Sequence, residues 1–172
     1  MDRKHLLAAA IITAFAVALF AAASDIEIHV TPKKLDATQP QNEANGTRTV
    51  SSERWNYEVT LENKSFRPLS GLEARYIIFY KTEQLGSKEP AEQQRQSGTF
   101  SLDAMQAHEK KTFTSNAVEL KHSHLTGHWF FPAGERIKAD DTLVGIWVRV
   151  YQGDQLLGEY ANPSTLAREQ WQ

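Results

Sequence analysis

The sequence contains no cysteine. That excludes disulfides, thiolate metal sites and a cysteine nucleophile. It has little excess charge, with 19 Lys+Arg against 21 Asp+Glu and a formal net charge of −2. A polyanion-binding surface needs a basic surplus, so nucleic-acid binding is disfavoured. There is no G-x-S-x-G and hence no strand-to-helix nucleophile elbow. There is no P-loop and no G-x-G-x-x-G to cradle a phosphate. Only one long apolar run occurs, at the N-terminus, which excludes a multi-pass membrane protein. Nowhere after that run does a long 3.6-residue period appear. The 172 residues fit a single domain, for which ~100–200 residues is usual.

What is present begins with an address. Arg3 and Lys4 give a positive start, and Leu6–Ala23 is uncharged with Thr13 its one polar residue. The run closes on Ala21-Ala22-Ala23 before Ser24. A basic start, an apolar stretch and small residues at the end read as a secretory signal peptide over residues 1–23, cleaved between Ala23 and Ser24. The rival is an uncleaved anchor, since the run would span about 27 Å as a helix. Its richness in alanine and the lack of a following basic cluster favour cleavage. With no cysteine after the run, a lipoprotein anchor is excluded. The expected destination is periplasmic or extracellular, with membrane contact only through an uncleaved leader.

Residues 24–172 are expected to form one domain. Their Leu, Ile, Val and Phe content is close to the ~20% at which disorder becomes plausible. The small net charge and the aromatics argue for folding: all 4 Trp and 5 Tyr lie in this region, and each aromatic buries ~150–250 Å². The pattern alternates with period two. Ile26, Ile28 and Val30 share one face of a strand that Pro32 is expected to end. Lys33–Ser52, with Pro40 and Asn45-Gly46, reads as a mobile polar loop. Trp55, Tyr57, Val59 and Leu61 mark a strong strand, turned by Asn63-Lys64-Ser65. Leu72–Lys81 is apolar on both faces and so reads as a central strand. Lys81–Gln96 reads as a second polar connection. Short strands follow at Gly98–Leu102 and at Lys110–Thr114, the latter extended by Val118 and Leu120. Thr142–Tyr151 is the clearest strand, with Trp147 expected in the core. Gln152–Gln155 reads as a hairpin turn, Leu156–Ala161 as the returning strand, and Asn162-Pro163 as its stop. Ser164 is expected to cap a short turn or helix ending at Trp171.

About seven short strands without helical crossovers point to an all-β antiparallel sandwich. The run WNYEVTLENKSFRPLSGLEARYIIFYK resembles the B–C region of bacterial immunoglobulin-like or fibronectin-type-III-like domains, and GIWVRVYQGDQLLGEYANPSTL resembles their final F–G hairpin. The resemblance implies an Ig-like β-sandwich of the kind found in small secreted bacterial proteins of unassigned activity. The antibody-type cysteine pair is absent, and a scaffold does not imply a function.

Four groups of residues carry chemistry. His122, His124 and His128 lie close in sequence, and three imidazoles plus water would suit zinc or copper; the plainer reading is a polar loop rich in histidine. Trp129-Phe130-Phe131-Pro132-Ala133-Gly134 suits a carbohydrate or protein contact, or a plug for one end of the sandwich. Asp140-Asp141 could serve acid–base work or a hard cation, but reads more simply as a solvated pair starting the next strand. Asn45-Gly46-Thr47 and Asn63-Lys64-Ser65 match the glycosylation sequon. No catalytic residue and no cofactor is assigned. The expectation is an exported, non-enzymatic protein that binds or supports an envelope protein or glycan. Its alternative is a small metal-binding protein or metalloenzyme using His122, His124 and His128. A first strand tethered by the Lys33–Ser52 loop would also permit strand exchange between copies.

Overall fold

A computed structural model describes residues 24–43, 46–127 and 133–171. The leader, Asn45, His128 and Trp129–Pro132 lie outside the described residues. The described chain is almost entirely strand: β1 (Ile26–Ala37), β2 (Gln41–Asn42), β3 (Arg48–Asn63), β4 (Leu69–Thr82), β5 (Glu92–Met105), β6 (Lys110–Thr114), β7 (Val118–Leu125), β8 (Lys138–Asp140), β9 (Thr142–Gln152) and β10 (Gln155–Asn162), followed by a 3-10 helix, Ser164–Arg168. Two antiparallel sheets pack face to face. One has the order β1-β3-β7-β8, with β2 and β6 also paired to β3; the other has the order β10-β9-β4-β5.

The long β3 organises the first sheet. Its Glu58–Glu62 stretch pairs with β6 and its Arg48–Trp55 stretch with β7. The two partners are separated by Ser115–Ala117. At that interruption Ser115 Oγ accepts the Tyr57 N–H at 2.9 Å, and the Tyr76 hydroxyl of the opposite sheet accepts the Asn116 N–H at 2.8 Å. These amides would otherwise be costly orphans in a buried setting.

The alternation reads out as burial. Ile26, Ile28, Tyr57, Val59, Leu61, Leu72, Ala74, Tyr76, Ile78, Phe113, Ile146, Val148 and Val150 make the inter-sheet core. β4 and β9 are central strands with two apolar faces. Their other faces carry Ile77, Phe79 and Trp147, roofed by Leu166 of the 3-10 helix and by Trp171. The β9–β10 turn forms as the residues dictate, with Gly153 at φ +58°.

Several boundaries differ from the sequence expectation. Lys33–Ser52 is not a loop: β1 continues to Ala37, β2 folds against β3, and β3 begins at Arg48. Pro32 lies inside β1, opposite Tyr57, and is tolerated because β1 is an edge strand. The segment looks polar because its cross-strand partners are charged, as in Lys34–Glu53 and Arg54–Asp36. The loose tether that strand exchange between copies would need is thereby largely paired strand. β5 starts at Glu92 rather than Gly98, and the β4–β5 connection is correspondingly short. Ser164 does not cap: the N-cap is Pro163, without a side-chain bond, and the 3-10 helix ends at Arg168. Ten strands replace about seven because β2 and β8 are very short and β6 and β7 are two halves along one side of β3.

Tyr57 gives the core a pH signature. Burial, with Tyr160 adding a smaller effect, pushes its phenol up to about 12. Below its ordinary value of about 10 the phenol is neutral in both states. As pH rises from there to about 12, the unfolded chain gives up the proton and the folded chain does not, so stability falls. The expected loss across that window is about 2–3 kcal/mol. Urea denaturation of wild type and Tyr57→Phe over the alkaline range isolates it, because the variant should lack this component of the slope.

Candidate functional site

The register of β3, β7 and β8 assembles a polar patch from residues far apart in sequence. Ser51, His122 and Asp140 form one cross-strand row, and Thr49, His124 and Lys138 form the next. Side chains two apart on a strand share a face, so the rows lie side by side. With Pro40 and Glu53 they line a cleft of about 330 Å³.

The charged groups of this cleft are mutually engaged. Asp140 Oδ1 lies 3.1 Å from His122 Nδ1, and Asp140 Oδ2 lies 2.7 Å from Lys138 Nζ. Burial alone would raise the Asp140 carboxyl, but its bonds to Lys138 and His122 outweigh that and hold it below the usual range. Glu53 accepts from Lys34 Nζ at 2.5 Å and from Trp55 Nε1 at 3.0 Å. Those two bonds, Lys34 first, hold its carboxyl low despite desolvation. His122 Nε2 is buried and has no hydrogen-bond partner among the described residues.

A depressed carboxyl contributes stability above its unfolded value and loses it as pH falls through the folded one. Asp140→Asn should therefore lower the neutral plateau and flatten the acid limb of the stability–pH curve, so that the two proteins converge at acid pH. Denaturation midpoints from neutral to acid pH read this directly; parallel curves for the two proteins would show that the Asp140 bonds are not maintained in solution.

The structure brings His122 and His124 to one face, as the His-x-His spacing predicts. The Lys138 ammonium sits against Asp140, which opposes a cation in the same place. His128 lies outside the described residues, as do Trp129–Pro132. Asp140 and Asp141 do not act as a pair. Asp141 is buried rather than solvated, and its carboxylate accepts the backbone N–H groups of Glu83 at 3.1 Å and Lys121 at 3.0 Å. It therefore ties β7 and the end of β4 to β8.

The residues missed by sequence reasoning are Thr49, Ser51, Glu53 and Lys138. No local motif marks them, because only strand register places them beside the histidines. A second polar cluster was also missed. Among the described residues, Glu27, His29 and Glu62 are the one group of three with ligand-type atoms within 4.8 Å of one another. Glu27 and Glu62 are direct cross-strand neighbours, a repulsive arrangement. Lys64 bridges both, at 3.2 and 3.1 Å, and Lys110 adds a contact to Glu62 at 3.1 Å. The cluster is an exposed ion-pair network whose negative charge is already met.

The sequon at Asn63 is closed by the fold. Asn63 is fully buried, and its Nδ2 donates to the carbonyls of Arg67 at 2.8 Å and Gln106 at 2.9 Å. No glycan can occupy that nitrogen in the folded chain.

No family model matches the chain, and no curated protein matches it. Among solved structures, a Northeast Structural Genomics Consortium target is similar, with 7% sequence identity, coverage of 82% of this chain and 88% of that one, and a TM-score of 0.31.

Proposed function

We propose that the protein is exported and acts at the cell envelope as a non-enzymatic binding or supporting module on an immunoglobulin-like or fibronectin-type-III-like scaffold. The observation that carries this reading is the state of the cleft's carboxylates. Glu53 is bonded to Lys34 and Trp55 and Asp140 to Lys138 and His122, bonds that lower both carboxyls. A general acid at neutral pH needs the opposite, a carboxyl raised toward the working pH. Ionised, hydrogen-bonded groups beside Ser51, Thr49 and His124 suit the orientation of a polar ligand, and an envelope protein or glycan offers such groups. The leader pattern of residues 1–23 supports export.

Two measurements test the two halves of this reading. Mass spectrometry of the protein from its own host should find the N-terminus at or near Ser24; an intact Met1 in the mature pool would replace export with anchoring. Pull-down from envelope extract, with wild type beside a Glu53→Gln/Asp140→Asn variant, tests the cleft. A ligand retained by wild type and lost by the variant supports binding there. Equal capture would move binding elsewhere. Stoichiometric zinc or copper that disappears in a His122→Ala/His124→Ala variant would overturn the reading in favour of a metal protein.

A further inference from the structure

The two sides of the sandwich are finished differently. Where β1 meets β10 the sheets close on each other: Ser24 Oγ reaches the Leu157 carbonyl at 2.7 Å, and a Cβ on Gly158 would lie 2.8 Å from the Ile26 carbonyl oxygen. On the other side β5 is the edge. It is 14 residues long, pairs among the described residues with β4 alone, contains no proline, and its charged residues are Glu92, Arg95 and Asp103. The usual protections of an edge are charge, proline, bulges or a short strand, and β5 has few of them. Lys111 Nζ takes the Ala104 carbonyl, and the Gln96 side chain reaches the Ala117 carbonyl at 3.3 Å. Among the described residues, the main chain of residues 95–103 has no hydrogen-bond partner outside β4.

This edge is complementary to itself. In an antiparallel pairing of two copies, the register that sets Arg95 opposite the partner's Asp103 also sets Asp103 opposite the partner's Arg95. The two-fold axis then falls on Thr99, opposite the partner's Thr99. Ser97 meets the partner's Ser101. Phe100, an exposed large apolar residue stacked at 4.8 Å on Phe113, meets the partner's Gly98. Unlike charges and Thr–Thr pairs are favourable directly across strands, and an aromatic opposite an edge glycine is a recognised stabilising pair. Tyr76 fills the space over Gly98, where an added Cβ would meet its hydroxyl at 2.3 Å, so the fold keeps a glycine at this place on the edge. Arg95 is held by Glu169 at 2.7 Å and the Gln170 carbonyl at 3.0 Å, which keeps the cation on the strand rather than free in solvent. We infer that β5 is a homodimerisation edge, pairing with β5 of a second copy in this register to join the two β10-β9-β4-β5 sheets into one. The inference is independent of the proposed cleft function, since no cleft residue takes part.

The absence of cysteine makes the test clean. Thr99→Cys, expressed from the full chain and oxidised mildly, should form a disulfide-linked species of twice the chain mass. Asp154→Cys, on the exposed β9–β10 turn, serves as the collision control and should cross-link far more slowly. Light scattering of the unmodified protein should show a concentration-dependent dimer. Asp103→Arg should weaken it roughly tenfold, as two attractive cross-strand pairs become repulsive. Combining it with Arg95→Asp should restore it. Circular dichroism checks that each variant is folded; if Arg95→Asp is not, the Asp103→Arg arm still decides. A monomer at every concentration, with Thr99→Cys no faster than Asp154→Cys, overturns the inference. So does a dimer indifferent to Asp103→Arg, which would place the contact elsewhere.

Discussion

Replacing Trp147 with alanine should lower the unfolding free energy by about 3–5 kcal/mol, the range for a large aromatic removed from a packed site. Trp147 is 1% exposed although it does not face the opposite sheet. It lies on the other face of β9, edge-on to Trp171 with ring centroids 4.6 Å apart. The Arg149 guanidinium sits 4.4 Å from the Trp147 ring and 4.5 Å from the Trp171 ring. Trp147 Nε1 and Arg149 Nε both donate to Glu159 Oε1, at 2.9 and 2.6 Å. Truncation therefore opens a cavity beneath Leu166, strips one ring from Arg149 and removes the seat of the C-terminal segment. Urea denaturation monitored by circular dichroism checks it. A loss below about 1 kcal/mol would mean that the C-terminal segment collapses into the gap. Trp171→Ala should cost less, because Trp171 is only half-buried.

Asn63→Ala should cost about 2–4 kcal/mol despite removing little apolar surface, because it strands several polar groups at once. Beyond the Nδ2 contacts to the carbonyls of Arg67, Met105 and Gln106, Asn63 Oδ1 accepts the Ser65 N–H at 3.0 Å and the Ser65 hydroxyl at 2.7 Å. Its own backbone receives the His108 N–H at 2.9 Å and donates to the Glu109 carbonyl at 3.0 Å. One side chain thus holds the β3–β4 turn and the β5–β6 turn together. Asn63→Asp would keep the acceptor and lose the donor, and it would put a carboxylate against the carbonyls of Arg67 and Gln106. It should be at least as destabilising as alanine. The denaturation midpoints of the two variants check the order; an aspartate milder than alanine would show that the donor bonds contribute little.

Much of the architecture was legible in the residues. Ile26, Ile28 and Val30, then Tyr57, Val59 and Leu61, mark strands with one buried face. Ile77 and Phe79, alternating with Tyr76, Ile78 and Tyr80, mark a strand buried on both, and Trp147 between Ile146 and Val148 does the same for β9. The hairpin at Gly153 and the stop at Asn162-Pro163 were equally plain. At the site, His122 and His124 were correctly placed on one face, but their neighbours were not foreseen. Glu53, Ser51 and Lys138 reach them only through register. Asp141 looked solvated because its partners are backbone amides, which no sequence displays.

The sequence by itself determined that this chain is an all-β sandwich, because alternating burial against a second sheet leaves a period-two record in the choice of side chains. Only the tertiary structure decided that Lys33–Ala37, Arg48–Ser52 and Glu92–Ser97 are strands. There the strands are held by main-chain pairing, with charged cross-strand partners along Lys33–Ala37, and their side chains follow no hydrophobic alternation. It also decided the cleft and the free edge of β5. Both arise from which strands lie next to which, and long-range pairing of that kind is not written in any local stretch of residues.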